Sequence, residues 1–453
     1  MTPASCGGLS EATTSSTTIQ LRCGSIEITP RNPMILAGCD IRDRQTRHSR
    51  VDDPLLAQVF VIESKTIRSL IVTIDLLYSG VEIVRACENA AEQNFPGVDV
   101  MVFASHTHSA SATDRSKPLL GASDPVEVDR IAQLLVSLIQ ELSHVEPTEC
   151  YAIYRAVQAD LAVNRRLPRV LALDGKRPRL RTVVEGTNER GPVDDVLAIV
   201  SFQSVIDNRT VGVLANFACH PVGYPHRRTV SAHFPSVIRE ALRSELVRGE
   251  ANGESASPIV GFIQGFSGDN RPKSASASRA QRTGWRRLLA GPGLSTFEAE
   301  DYSVWISKVG DSCRRVLSAP PVPVIGKETS HSCRTVERRK VLIGSASSAP
   351  LEVKVLRLGS FLLLGISGEV VTHYALQLRT SLSDYSLFLG GCMGDVVGYI
   401  PSESMLRQGG YEARGFCKAF SAQSVPRGVE PAVEHAAFTA LAEVGVVAVS
   451  ADS

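Results

Sequence analysis

Val100-Met101-Val102-Phe103-Ala104, followed at once by Ser105-His106-Thr107-His108-Ser109, is an apolar run that stops on two imidazoles. The run predicts a buried β-strand. Residues i and i+2 of a strand share a face, so His106 and His108 are expected to point the same way. Two neutral imidazoles delivered together at a strand exit make half of a metal site. Taken alone, a His-x-His triplet is more often a pair of ordinary polar residues.

The pattern repeats along the chain. Strands are expected at 19–29, 54–63, 69–75, 196–204, 210–218, 258–264 and 353–366. Helices are expected at 81–93, 124–143, 235–248, 298–317, 369–382 and 429–446. The clearest is 124–143, where Val128, Ile131, Leu135, Leu138 and Leu142 recur at helical spacing behind an Asp124-Pro125 start. This mixture predicts an α/β or layered α+β fold, with stacked mixed β-sheets flanked by helices. Residues 1–18 are expected to be a disordered leader and 19–453 one domain. Irregular loops are expected at 271–295, rich in Ser, Arg and Gly, and at 319–350, which holds Pro320, Pro321 and Pro323.

Bulk composition excludes several classes. The formal net charge is +1, so no global field recruits nucleic acid or an anionic membrane surface. No apolar stretch approaches the ~20 residues that span a bilayer. The N-terminus lacks the basic and apolar regions of a signal peptide. The ten cysteines are scattered, with no C-x-x-C pair, which suits reduced thiols and a cytoplasmic location. The Arg282, Trp285, Arg286, Arg287 cluster reads as a solvated face in a chain with no basic domain.

Three more polar groups end apolar runs. Asn216-Phe217-Ala218-Cys219-His220-Pro221-Val222 closes a strand on histidine. Gly368-Glu369 follows Phe361-Leu362-Leu363-Leu364-Gly365-Ile366. Gly398-Tyr399-Ile400-Pro401 precedes Tyr411-Glu412. Strand exits are where α/β architectures hold ligands. Each piece alone has a bland reading: a satisfied structural histidine, a helix start, or a turn with a half-buried tyrosine.

Taken in order, these segments resemble the catalytic domain of neutral/alkaline non-lysosomal ceramidases. The resemblance starts at Ile28-Thr29-Pro30. It runs through the Asp75 strand, His106-Thr107-His108-Ser109, Asn164-Arg165, the His220 motif, Gln264-Gly265-Phe266-Ser267-Gly268-Asp269, Gly368-Glu369 and Tyr399 to Tyr411. It implies that His106, His220, Glu369 and Tyr399 bind one Zn2+ ion. It also implies that His108 shuttles a proton, Arg165 orients substrate, and Tyr411 donates to a developing oxyanion. The family hydrolyses the amide of N-acylsphingosine. Zinc, a phenol and an imidazole suit that task, since an amide is a poor electrophile with a poor leaving group.

The departures bear on the substrate. Gly268-Asp269-Asn270-Arg271-Pro272 places arginine where the family carries a serine, and His233 stands at an Asp-like position. Arg271 favours an anionic or polar group such as a carboxylate; otherwise it is a solvated loop residue. Arg271, Ser267 and Asp269 are the candidate substrate contacts, while Asp75 and Asp269 are also candidates for steering a ligand histidine or capping a loop. The leading expectation is a zinc amidohydrolase acting on a small, non-ceramide acyl compound. The alternatives are ester or lactone hydrolysis, amide formation by acyl transfer, and a catalytically silent binding protein.

Overall fold

Two β-sheets lie face to face between outer layers of helices, and the strand that leads to His106 forms one edge of the larger sheet. This computed structural model describes residues 18–38, 47–174, 177–226, 228–249, 257–273, 284, 297–324, 329–345 and 348–448. The expected leader, Thr18 apart, and the Arg282–Arg287 cluster lie outside them, Gly284 excepted.

The strands, in chain order, are β1 (Thr18–Glu27), β2 (Arg50–Val51), β3 (Leu56–Glu63), β4 (Arg68–Ile74), β5 (Asp99–Ala104), β6 (Thr148–Gln158), β7 (Ala162–Asp174), β8 (Arg177–Asn188), β9 (Val196–Ser204) and β10 (Thr210–Phe217). They continue with β11 (Thr229–Val230), β12 (Ile259–Gln264), β13 (Asn270–Pro272), β14 (Val322–Pro323), β15 (Thr329–Val336), β16 (Leu351–Leu358), β17 (Phe361–Ile366), β18 (Glu369–Val370), β19 (Ser386–Gly390) and β20 (Tyr399–Ile400). The helices are α1 (Val81–Asn94), α2 (Pro125–Ser143), α3 (Phe234–Gly249), α4 (Ala299–Ser318), α5 (Thr372–Ser381), α6 (Glu403–Gln408) and α7 (Val429–Glu443).

The larger sheet runs β12-β10-β9-β6-β1-β3-β4-β5, with β14 added at β6. Its outermost pairs, β10 with β12 and β4 with β5, are parallel, and the pairs between are antiparallel. Side chains alternate strictly. Val59, Val61, Val72 and Val102 face α1 and α2, while Phe60, Ile71, Met101 and Phe103 face the second sheet, β15-β16-β17-β19. Burial on both faces is why these strands read as unbroken apolar runs. Phe60, Phe103, Phe361 and Phe388 meet between the sheets, each fully buried, and each contributes about 1.5–3 kcal/mol relative to exposure. α3 and α4 cover β9, β10 and β12; α5 and α7 cover the outer face of the second sheet. The fold is α+β with stacked mixed sheets flanked by helices, as the sequence predicts.

Four expectations are corrected. The stretch 353–366 is not one strand but the hairpin β16–β17, turned at Gly359 with φ 55°. The helix expected from 369 begins at Thr372, and Glu369 sits instead on β18. Residues 319–350 hold β14 and β15, the latter paired along its length with β16. The expected loop at 271–295 begins inside β13, where Arg271 pairs with Val163.

Backbone hydrogen bonds draw the strand exits to one place. Gly265 N donates to Phe217 O, Gly391 N to Gln264 O, and Ala104 N to Cys392 O. Cys392 N donates to Gly368 O, and Glu369 N to Gly398 O. The ends of β5, β10, β12, β17 and β19 are thereby stitched together, although they come from both sheets.

Candidate metal and hydrolytic site

β5 ends at Ala104, and His106 turns away with a left-handed φ of 65°. The two imidazoles therefore converge because of this turn rather than because they share a strand face. A left-handed backbone is strained for a residue with a side chain. His106 holds it because its Nδ1 meets Leu77 O at 3.1 Å and the residue is buried. His220 Nδ1 lies 3.2 Å from Ser267 O, and His108 Nδ1 lies 3.0 Å from Gly38 O. A carbonyl only accepts, so each Nδ1 carries the proton and each Nε2 presents a lone pair.

Those lone pairs meet. His106 Nε2 and His220 Nε2 are 3.0 Å apart, and His108 brings a ring nitrogen within 4.8 Å of both. Glu369 Oε2 lies 3.3 Å from His106 Nε2 and 3.8 Å from His220 Nε2, and it accepts no hydrogen bond. Two lone-pair nitrogens at 3.0 Å beside an unsatisfied, buried carboxylate oxygen are repulsive without a cation between them. Two imidazoles and a carboxylate are also a zinc-type donor set, and the Tyr399 phenol hydrogen-bonds the same carboxylate. The residues present therefore fit a divalent ion.

Glu369 and Tyr399 are direct partners across the parallel β18–β20 pair. Gly268 makes this pairing possible, since a Cβ there would lie 2.8 Å from Glu369 O. Glu369 Oε1 accepts from Tyr78 Oη. Burial opposes ionisation of the Glu369 carboxyl, but His106 and the hydrogen-bonding phenols outweigh it and hold the group below the usual range. Burial likewise works against a charged His106, yet the neighbouring Cys392 and Glu369 shift it upward, whereas His220 is pushed well down and His108 down to about 3. The pocket thus favours one positive charge at its centre.

Arg165 stands behind Tyr399. Its Nη2 donates to Tyr399 Oη at 2.9 Å and to Gly268 O at 2.7 Å, and its Nε donates to Glu412 Oε1 at 2.8 Å. Its guanidinium also lies 5.6 and 5.8 Å from the rings of Tyr399 and Tyr411. Tyr411 packs edge-on against Tyr399, and burial together with Glu369 raises its phenol, which stays protonated at neutral pH.

The three candidate substrate contacts are placed differently. Arg271 is 3% exposed, not solvated, and burial beside Arg165 lowers it to about 10, so it stays charged at pH 7. Gly223, at φ 84°, lets the chain pass over it: a Cβ there would be 3.3 Å from Arg271 Nη2. The Asp269 carboxylate is engaged by Thr372 N, Thr372 Oγ1 and Asn164 Nδ2. Ser267 Oγ accepts from Gln264 Nε2, and its carbonyl holds His220. Asp75 meets no histidine; it pairs with both terminal nitrogens of Arg239.

Two neighbours of the site escaped the sequence reading. Tyr78, which anchors Glu369, lies just past the exit of β4, where the strand-exit rule would have found it. Cys392 reaches His106 only through the tertiary fold.

These layers form a ceramidase-like fold. Neutral ceramidase from Pseudomonas aeruginosa superposes with a TM-score of 0.71 at 13% identity, covering 96% of this chain and 76% of that one. A ceramidase complexed with C2 gives 0.69 at 12% identity, covering 96% and 77%. No family model and no curated protein matches the sequence.

Proposed function

We propose that this chain is a zinc-dependent hydrolase that cleaves a linear amide in a small acyl substrate other than ceramide. One observation carries the reading: His106 Nε2 and His220 Nε2 face each other at 3.0 Å beside the unsatisfied Oε2 of Glu369. The fold shared with neutral ceramidases supports the amide chemistry. His106, His220, Glu369 and Tyr399 would hold the ion, which supplies Lewis-acid polarisation of a carbonyl and acidifies water to a pKa near 7.

The protein's own groups do the rest. Tyr411, protonated, donates to the oxygen that gains charge, where preorganised donors contribute most to rate. His108, neutral, accepts a proton from water and returns it to the departing amine. Arg165 and Tyr78 fix the phenol and the carboxylate from behind. Arg271, a buried cation where the family resemblance expects serine, supports an anionic substrate group such as a carboxylate. Eight free cysteines among the described residues suit a reducing cytoplasm, and no described helix is long and apolar enough to cross a membrane.

Metal analysis of the purified protein tests the reading. One equivalent of zinc, with hydrolysis of N-acyl carboxylates lost on chelation and restored by zinc, is expected. Less than about half an equivalent, with turnover and stability untouched by chelator, would overturn it.

A further inference from the structure

We infer that His233 is a positioning residue for the metal centre, a single imidazole that ties the loop carrying His106 and His108 to the loop carrying His220. The inference rests on the metal reading above. His233 Nδ1 lies 2.9 Å from Pro221 O, the residue after His220. That carbonyl only accepts, so Nδ1 carries the proton and Nε2 is the acceptor. Ser109 Oγ, on the residue after His108, sits 2.8 Å from Nε2 and donates to it. The two ring nitrogens therefore reach the immediate neighbours of two metal-site histidines at once.

The tie is built in, not incidental. His233 is 4% exposed and holds a left-handed φ of 58°. Tyr224 stacks on its ring at 4.6 Å, with 18° between the planes, and is itself anchored through Oη to Asp52. Around it, Thr107 Oγ1 donates to Ser231 O, Ser231 N to Ser109 O, and His233 N to Ser231 Oγ. Burial lowers the imidazole to about 4, consistent with a neutral ring. An aspartate here, as the family resemblance expects, would offer acceptors only and could not satisfy Pro221 O. Histidine supplies one donor and one acceptor, a requirement set by this chain's own Ser109 and Pro221. Partners hydrogen-bonded directly to metal ligands change metal affinity about 10–100-fold when removed, and His233 acts one residue further back, so the lower end of that range is its ceiling.

Calorimetric zinc titration of the metal-stripped protein tests this, read beside denaturant unfolding of the same metal-free samples. The parent should bind one zinc. His233→Ala should weaken zinc binding by up to about tenfold and alter the visible absorption of the cobalt-substituted protein. His233→Gln, which restores a donor and an acceptor, should recover most of the affinity. Should His233→Ala not fold, Ser109→Ala, which cuts one end of the tie, is expected to lose about two- to threefold, a part of that effect. Unchanged zinc affinity and cobalt spectrum in the altered proteins, beside a zinc-binding parent, would overturn the tie and leave the metal reading standing. So would affinity loss that merely follows metal-free unfolding and is not rescued by glutamine. A parent that binds no zinc would sink both. Loss of hydrolysis in Ser109→Ala at unchanged zinc affinity, with Ser109 labelled by a fluorophosphonate, would make the pair a nucleophile and base instead.

Discussion

Glu369 carries the heaviest electrostatic duty of any side chain in the site. It is paired across β18–β20 with Tyr399, anchored by Tyr78, and turns its remaining oxygen toward two imidazoles. Glu369→Gln keeps the shape and removes the charge. It is expected to lose zinc and to lower kcat/KM at least about a thousandfold, since the Lewis acid that polarises the carbonyl and acidifies water would go with it; metal analysis and steady-state kinetics check both. Tyr411→Phe removes one donor and leaves the metal donors in place. Zinc content should hold while kcat falls about a hundredfold, the usual loss for one oxyanion donor. Arg271→Ser asks a different question. If the buried guanidinium meets a substrate carboxylate, its loss costs a charge-assisted hydrogen bond, ~1.5–3 kcal/mol, or roughly 10–100-fold in kcat/KM for acidic N-acyl substrates. Neutral N-acyl substrates should be spared, and equal loss for both would remove Arg271 from substrate recognition.

Between elements, the site depends on clamps, and the clearest is Asp75 with Arg239. Asp75 follows β4, takes the backbone N–H of Leu56 at the start of β3, and pairs with both terminal nitrogens of Arg239 on α3. Both side chains of the ion pair are buried. Arg239→Met strands a buried carboxylate and should cost about 3–5 kcal/mol in denaturant unfolding, and adding Asp75→Asn should recover much of it; a loss under about 1 kcal/mol would show that the clamp is slack. The segment after Asp75 carries Leu77 and Tyr78, so a weakened clamp also loosens His106 and Glu369. Which elements the sequence disclosed follows the same physics. β3, β4, β5, β9, β10 and β12 are buried on both faces and announce themselves as apolar runs. β7, which carries Arg165, and β8 are rich in arginine, with Pro168 inside β7, and β15 reads Thr-Ser-His-Ser-Cys-Arg-Thr-Val. Their pairing is tertiary and leaves no apolar signature. Glu369 looked like a helix start because β18 is two residues long and exists only through β20. His106 and His220 were legible because each ends an apolar run; the Nδ1 contacts that fix their tautomers go to carbonyls, which no side-chain pattern encodes.

The four proposed ligands reach the ion from across the whole molecule. His106 and His220 follow opposite ends of the larger sheet, while Glu369 and Tyr399 follow the second sheet. Separating the two sheets, or peeling β5 from its edge, would pull at least one ligand away. An ion held in this way binds the folded chain and not a partly opened one, so its binding energy adds to the stability of the entire domain. With free zinc at 100 to 1,000 times Kd the gain is about 2.7–4.1 kcal/mol. Spread over a chain of this length, at ~2.1 cal/mol/K of unfolding entropy per residue, that raises Tm by about 3–4 °C. Calorimetry of zinc-loaded and metal-stripped protein should therefore show one transition displaced as a unit, and Glu369→Gln should abolish the displacement. A local site would behave differently: a zinc-dependent low-temperature shoulder, with the main transition unmoved, would place the ligands on a segment that opens independently of the sheets. No displacement at all at saturating zinc would mean that the imidazoles and Glu369 converge without binding the ion.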